Sequence, residues 1–179
     1  MSADSPSVTL MRVFEVPLDD LFAAFTDADA LAAWWIPRAH SAVVLEHRPV
    51  EGGRSRLRYT SPTLGVYEET LNYRTVEKPT AIKFRSTPSL GDDSGHEGWR
   101  SHLSLDQTWV LGRRGGRSLV SVSLHASSEK AEEALRAAQY DVTHDLTATL
   151  LELERLLAGR EDATDSYIGR LDPSLRAQR

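Results

Sequence analysis

The stretch that decides the fold runs from Glu129 to Leu157 and reads EKAEEALRAAQYDVTHDLTATLLELERLL. Its core-forming residues recur at steps of three and four, which is the period of a helix with one apolar face. These residues are Ala131, Leu135, Ala138, Val142, Leu146, Thr149, Leu150, Leu153 and Leu157. Ser127 or Ser128 can cap the helix, and Gly159 is expected to end it. A helix of this length with one apolar face must pack on an equally long surface.

The segments before the helix predict that surface, an antiparallel sheet of six or seven strands. The predicted strands are 8–14, 43–45, 54–60, 66–76, 81–85, 102–111 and 119–124. In the third of them Ser55, Leu57 and Tyr59 alternate with three arginines, which indicates one buried and one solvated face. Short turns between neighbouring strands favour an antiparallel meander. The stretch 86–100, with three glycines and a proline, is predicted to be a long loop.

Two short helices are predicted between the first two strands, over 18–25 and 28–35. The second helix ends with the pair Trp34-Trp35. Adjacent helical residues point about 100° apart, so both side chains cannot face the core equally. We therefore expect one to pack beneath the helix and the other to reach a cavity mouth or the surface. The alternative is that both only anchor the helix.

Composition and charge narrow the class of protein. The chain has 179 residues, 40% of them apolar, which is sufficient for one domain with a buried core. We predict a domain over 1–158 and a polar tail over 159–179. A net charge of −5 lacks the basic surface of a nucleic-acid binder and disfavours docking on an anionic membrane. No membrane-length apolar run, signal-peptide pattern or cysteine occurs, which fits a cytoplasmic protein.

The order of these elements, together with several local motifs, resembles the START-like (SRPBCC) superfamily, and within it the family named for the activator of Hsp90 ATPase. The motifs are Arg12-Val13-Phe14, Val16-Pro17, Phe25-Thr26-Asp27, Leu31-Ala32-Ala33-Trp34-Trp35 with Pro37, the Arg48-Pro49 to Gly52-Gly53 segment and Tyr67-Glu68. The resemblance covers about residues 8–158, and it departs from the family pattern where Val50-Glu51 separates the Arg-Pro pair from the glycine pair. It implies a helix-grip α+β fold, in which a curved sheet wraps around the C-terminal helix and encloses a cavity.

In such a fold the inward faces of the strands line the space between sheet and helix. The residues expected there are Trp35, Tyr59, Tyr73, Phe84, Gln107 and Trp109. An apolar cavity with few polar groups is typical of a small-molecule site, so we expect the protein to bind a hydrophobic or aromatic small molecule without catalysis. Aromatic residues that simply fill the core are the alternative. A buried amide at Gln107 needs hydrogen-bond partners, which a ligand, Tyr73 or a buried water could supply.

The sequence shows no pattern typical of a metal site or of an activated nucleophile. Its six histidines are scattered without the spacing of a zinc-binding helix, and no Gly-x-Ser-x-Gly motif is present. We therefore predict no metal, no cofactor and no catalytic residue. A general acid–base role for Glu69 or His102 at the cavity edge depends on geometry.

Two other functions stay open, because relatives in the superfamily include co-chaperones and aromatic polyketide cyclases. The first is an interaction module that regulates a chaperone. The eukaryotic co-chaperone carries an additional N-terminal domain, whereas this sequence begins within a few residues of its first strand, which weighs against that version. The second is an enzyme of the cyclase or dehydratase kind. The tail and the 86–100 loop also offer surface for a homodimer.

Overall fold

The computed structural model describes residues 6–35, 41–61, 65–89 and 103–171, with the backbone alone at Ser61, Ser89 and 160–171. Within these ranges the chain forms seven strands and three helices. They are β1 (Ser7–Phe14), α1 (Leu18–Thr26), α2 (Ala28–Trp34), β2 (Ser41–His47), β3 (Arg54–Ser61), β4 (Gly65–Glu77), β5 (Ala81–Ser89), β6 (Leu105–Arg114), β7 (Arg117–Ala126) and α3 (Glu129–Leu171).

All seven strands belong to one antiparallel sheet in the order β1-β7-β6-β5-β4-β3-β2. The strands from β2 to β7 follow one another as a meander, and β1 pairs with the far side of β7. With two short helices after β1 and the long α3 packed on the sheet, this is the predicted helix-grip α+β fold. The predicted alternation in β3 is confirmed, because Ser55, Leu57 and Tyr59 are buried whereas the arginines between them are not.

The turn between β2 and β3 holds the Arg48 to Gly53 motif and is hydrogen-bonded to β4. The Val50 N–H donates to the Arg48 carbonyl at 2.9 Å, and the Gly53 N–H donates to the Val50 carbonyl at 2.8 Å. Gly52 has a φ of 73°, which side-chain-bearing residues rarely adopt, and a Cβ on Gly53 would collide with the Arg48 carbonyl oxygen. The Tyr73 N–H donates to the Gly53 carbonyl at 3.0 Å, so the turn is anchored to β4.

The predicted apolar face of α3 is confirmed, and it contacts β1, β7, α1 and α2. The buried residues on it are Ala131, Leu135, Val142, Leu146, Thr149, Leu150, Leu153 and Leu157. Ser128 is the cap, because its Oγ accepts from the Ala131 N–H at 3.2 Å. The prediction that Gly159 ends the helix is wrong, since α3 continues to Leu171. Glycine inside a helix costs only about 1 kcal/mol relative to alanine, and the first proline beyond it is Pro173.

Both tryptophans at the end of α2 are buried, so the expectation that they could not face the core equally is wrong. Trp34 is 0% exposed and Trp35 is 2% exposed. The Trp34 Nε1 donates to the Ala24 carbonyl in α1 at 2.8 Å, whereas the Trp35 indole faces Glu69 on β4. Since α2 has only seven residues and lies between other elements, both sides of its end are covered.

The predicted loop over 86–100 is partly strand. Residues 86–89 belong to β5, and the rest of that stretch lies outside the described residues, as does His102. The next strand, β6, begins at Leu105 and not at position 102. No helix in the described ranges is long and apolar enough to cross a membrane.

Candidate functional site

The six residues predicted to line the interior are all buried on the inner side of the sheet. Their exposed fractions lie between 0 and 6%. They are Trp35 after α2, Tyr59 on β3, Tyr73 on β4, Phe84 on β5, and Gln107 and Trp109 on β6. Tyr73 is paired with Phe84, and Phe84 with Gln107, so these three form one row across neighbouring strands. The strand alternation thus places the predicted residues on one surface.

Ring contacts join most of this surface into an aromatic cluster around Trp109. The Trp109 ring lies 5.1 Å from that of Phe25 and 5.8 Å from those of Trp34 and Trp35, measured between ring centroids. Trp35 lies 5.6 Å from Phe84, which in turn lies 5.9 Å from Tyr73. Several pairs meet edge to face, the arrangement that the ring quadrupoles favour.

The amide of Gln107 finds its partners inside the protein. Its Nε2 donates to the Ser86 Oγ at 3.0 Å, and its Oε1 accepts from the Trp109 Nε1 at 3.1 Å. The Ser86 hydroxyl lies 3.5 Å from the Leu105 carbonyl oxygen. Among the partners considered from the sequence, Tyr73 is therefore not the one used. The sequence does not predict Ser86 as a site residue, because Ser86 lies in the stretch that is predicted to be a loop.

The hydroxyl of Tyr73 belongs instead to a chain of hydrogen bonds that is buried at Tyr73 and Ser55 and partly buried at His47. It lies 2.8 Å from the Ser55 Oγ, which lies 2.7 Å from the His47 Nδ1. The His47 Nε2 lies 2.9 Å from the Thr26 carbonyl oxygen. A carbonyl only accepts, so Nε2 carries a proton, and in the neutral imidazole Nδ1 accepts from Ser55 while Ser55 accepts from Tyr73. Burial raises the pKa of Tyr73 to about 12, so the phenol keeps its proton at neutral pH.

A buried carboxyl group, Glu69, lies at one end of the aromatic surface. Glu69 is 5% exposed. The Trp35 Nε1 donates to its Oε2 at 2.9 Å, and the Tyr59 hydroxyl donates to the same oxygen. From the described residues, Oε1 receives no hydrogen bond. The sequence carried a signal for this group, because Glu69 shares the inward alternation of Tyr67 and Leu71 on β4.

The surroundings of Glu69 differ from those of a structural ion pair. A buried carboxyl group is costly unless it is paired and hydrogen-bonded. Among the described residues no lysine or arginine pairs with Glu69, whereas its neighbour Glu68 on the outer face pairs with Arg56 and Arg58. Chemically, the arrangement offers a hydrogen-bond acceptor inside an aromatic region. It also places two titratable groups, Tyr59 and Glu69, in direct contact.

Other parts of the described chain offer weaker sites. In these ranges no group of three His, Cys, Asp or Glu residues could hold a metal ion. A surface depression of about 190 Å³ lies between the start of α1 and the β6–β7 turn. It is lined by Val16, Pro17, Leu18, Asp19, Arg113, Gly115, Gly116, Arg117 and Ser118, and by none of the six predicted residues.

Residues 15–158 match the model of the family described as activator of Hsp90 ATPase homolog 1-like protein. The chain belongs to this family. The predicted membership, within the START-like (SRPBCC) superfamily, is thereby confirmed. No curated protein matches the sequence.

Solved structures of bacterial proteins share the fold at low sequence identity. A protein from Arthrobacter aurescens superposes with a TM-score of 0.74 at 16% identity, covering 89% of this chain and 90% of its own. A Mycobacterium smegmatis protein gives a TM-score of 0.70 at 18% identity, covering 87% of this chain and 93% of its own. The AHSA1 protein of Silicibacter pomeroyi gives 0.65 at 18% identity, covering 87% of this chain and 99% of its own. At such identities the likeness concerns the fold alone.

Proposed function

We propose that this family member binds a hydrophobic or aromatic small molecule in the interior between the sheet and α3, without catalysing a reaction. The observation that carries the proposal is a buried surface of aromatic side chains from β3 to β6 and the end of α2, at one end of which Trp35 and Tyr59 contact the buried carboxyl group of Glu69. Small-molecule sites are typically apolar, with a few polar groups that orient the ligand. The polar atoms of Gln107 and Tyr73 already have hydrogen-bond partners within the protein. These two residues therefore contribute to the shape of the site and not to its polar contacts with the ligand.

The test is native mass spectrometry of the protein purified from its own host. The expected result is a stoichiometric small molecule that is lost from Trp109→Phe, because the smaller ring changes the centre of the aromatic cluster. Val110→Ala is the matched control: Val110 is the next residue on β6, points to the other face and is 47% exposed. An empty protein that is also not stabilised by any compound of an aromatic library would contradict the proposal.

A second candidate function is acid–base catalysis of the cyclase or dehydratase kind. The contact between Tyr59 and Glu69 favours it, because a positioned pair of titratable groups can move a proton. A dehydratase releases water, so a polyketide-type substrate incubated with the protein would lose the mass of one water molecule. Tyr59→Phe and Glu69→Gln should abolish that change, and a substrate returned unaltered by the unmodified protein would count against catalysis.

The family description favours a third candidate, regulation of a chaperone of the Hsp90 type. Pull-down of the host's own Hsp90-type chaperone with the full chain tests it. Co-purification together with a change in chaperone ATPase rate would support this function, and absence of a complex would remove it.

A further inference from the structure

We infer that Glu69, held by Trp35 and Tyr59, is the recognition group of the ligand site and selects aromatic ligands that carry a hydrogen-bond donor, such as a phenol or an aryl amine, over ligands that carry a carboxylate. The inference rests on the proposed function, because it requires a ligand in the interior. To the proposed function it adds the kind of polar group that the ligand carries and the protein atom that recognises this group.

The position of Glu69 is set by three strands and the end of a helix. In the sheet register Glu69 on β4 lies opposite Leu57 of β3 and Pro88 of β5. Trp35, one residue beyond α2, reaches it from the helical side, and Tyr59 reaches it from β3. A group clamped by separate elements has a defined orientation, as ligand recognition requires.

The two hydrogen bonds use only one of the two oxygens of the Glu69 carboxyl group. Both donors end on Oε2, and among the described residues none ends on Oε1. An indole N–H can only donate, so the Trp35 contact fixes Oε2 as an acceptor. A single acceptor oxygen, which a glutamine would also supply, is enough for both donors. The second oxygen is therefore not explained by the internal contacts of the described residues.

The chemistry of Oε1 defines the class of ligand. An acceptor in apolar surroundings is satisfied by an O–H or N–H of the ligand, whereas a ligand carboxylate would set acceptor against acceptor. Flat rings suit the neighbouring walls. Trp35 contacts Phe84, and the Tyr59 and Tyr67 rings lie 4.8 Å apart. Aromatic compounds with a hydroxyl or amino group meet both conditions.

Three probes of nearly equal shape separate these conditions: 2-naphthol, 2-methylnaphthalene and 2-naphthoate. Equilibrium dialysis against the full chain measures their dissociation constants. We expect 2-naphthol to bind roughly tenfold more tightly than 2-methylnaphthalene, which lacks the donor, and than 2-naphthoate, which carries the carboxylate.

Glu69→Gln then tests whether Oε1 of Glu69 is the atom that recognises the ligand. Its amide oxygen can still accept from Trp35 and Tyr59, while its NH₂ presents a donor where Oε1 stood. We expect the affinity for 2-naphthoate relative to 2-naphthol to rise roughly tenfold. Glu68→Gln is the matched control, because it makes the same change one residue away on the outer face and should leave the ratio unaltered.

The outcomes separate the inference from the proposed function. If the unmodified protein binds the three probes equally, or if Glu69→Gln leaves their ratio unchanged, the recognition role is overturned and ligand binding stands. If the unmodified protein binds none of them, the recognition role is overturned, whereas the proposed function is decided separately by native mass spectrometry and the aromatic library. Should Glu69→Gln fail to fold, the ratios of the unmodified protein still decide, since equal binding overturns the inference without any variant.

Discussion

Glu68 and Glu69 are adjacent on β4, and their side chains lie on opposite faces of the sheet. Glu68 lies on the outer face, where hydrogen bonds from Arg58 and Arg56 lower its pKa. Glu69 lies on the inner face, among aromatic residues and without a cationic partner in the described chain. Strand alternation alone predicts that neighbours point to opposite faces. It does not predict the donors, since Trp35 reaches Glu69 only when α2 packs over the sheet.

At the same scale, Tyr73 gives a prediction about alkaline pH. Burial raises the pKa of this phenol to about 12, whereas the unfolded chain ionises it near its ordinary value of 10.0. Between these two values the unfolded state binds fewer protons than the folded state. The free energy of unfolding should therefore fall as pH rises from about 10 to about 12, by roughly 1.4 kcal/mol per unit from this group.

Denaturant unfolding of the protein and of Tyr73→Phe between about pH 8 and pH 11 measures this contribution as a difference in slope. The unmodified protein should lose more stability than the variant above pH 10. Tyr140→Phe is the control, because Tyr140 is 81% exposed and its removal should leave the slope unchanged. Equal slopes for Tyr73→Phe and the unmodified protein would contradict the assignment.

At the scale of elements, the outer face of the sheet is held by ion pairs that cross strands. Asp106 on β6 accepts from Arg85 on β5 at 2.9 and 2.8 Å, and lies 3.3 Å from Arg74 on β4. The hydrogen bonds from Arg85 are the main cause that lowers the pKa of Asp106. The pairing therefore links three neighbouring strands.

Asp106→Asn should lower the free energy of unfolding at neutral pH by about 1 kcal/mol or less, because the pair is partly exposed. A lowered carboxyl pKa contributes stability above its unfolded value and loses it as pH falls through the folded value. The difference between variant and parent should consequently vanish in acid, as urea unfolding at neutral and acidic pH can show. Asp141→Asn, on the outside of α3, is the control. A difference that persists in acid would show that packing, not charge, is responsible.

The course of α3 beyond its buried face gives a third prediction. Gly159 lies inside the helix, and a Cβ added there meets nothing within 4 Å. Gly159→Ala should thus raise helix content, with a local gain of about 1 kcal/mol. Far-ultraviolet circular dichroism measures the change. If Gly159 ended the helix in a left-handed conformation, the same substitution would lower helix content and stability.

At the scale of the whole molecule, the core is one layer between the sheet and the helices. Trp109 on β6 connects the parts, since its ring contacts Phe25 of α1 and both tryptophans at the end of α2. Leu146 and Leu150 of α3 belong to the same buried core. A substitution at the centre of the aromatic cluster should therefore lower the stability of the complete domain.

Trp109→Ala is expected to cost about 3–5 kcal/mol of unfolding free energy, because it removes a fully buried indole and leaves a cavity. It also leaves the Gln107 Oε1 without its donor. Val110→Ala, on the exposed face of the same strand, should change stability by less than about 0.5 kcal/mol. Guanidinium unfolding followed by circular dichroism compares the two. Similar midpoints for both variants would show that Trp109 is not central to the core.

Much of the site could be predicted because the two-residue period of a strand decides which side chains face inward. The two-residue alternation of β3 to β6 placed Tyr59, Tyr73, Phe84, Gln107 and Trp109 on the inner face, and all five are buried there. Their use as a ligand site remains a proposal. Most of the hydrogen-bond partners could not be predicted in the same way, since Ser86 lies in a stretch read as a loop and the donors to Glu69 lie on β3 and at the end of α2.

By itself, the sequence determined the order of the elements, the inner and outer faces of the strands, and the apolar face of α3 up to Leu157. These depend on local period and on turn residues, which can be read along the chain. Only the tertiary structure decided that both Trp34 and Trp35 are buried, that Ser86 satisfies Gln107, and that Trp35 and Tyr59 meet on one oxygen of Glu69. The physical reason is that such contacts join residues distant in sequence, so they exist only once α2 is packed and the strands are in register.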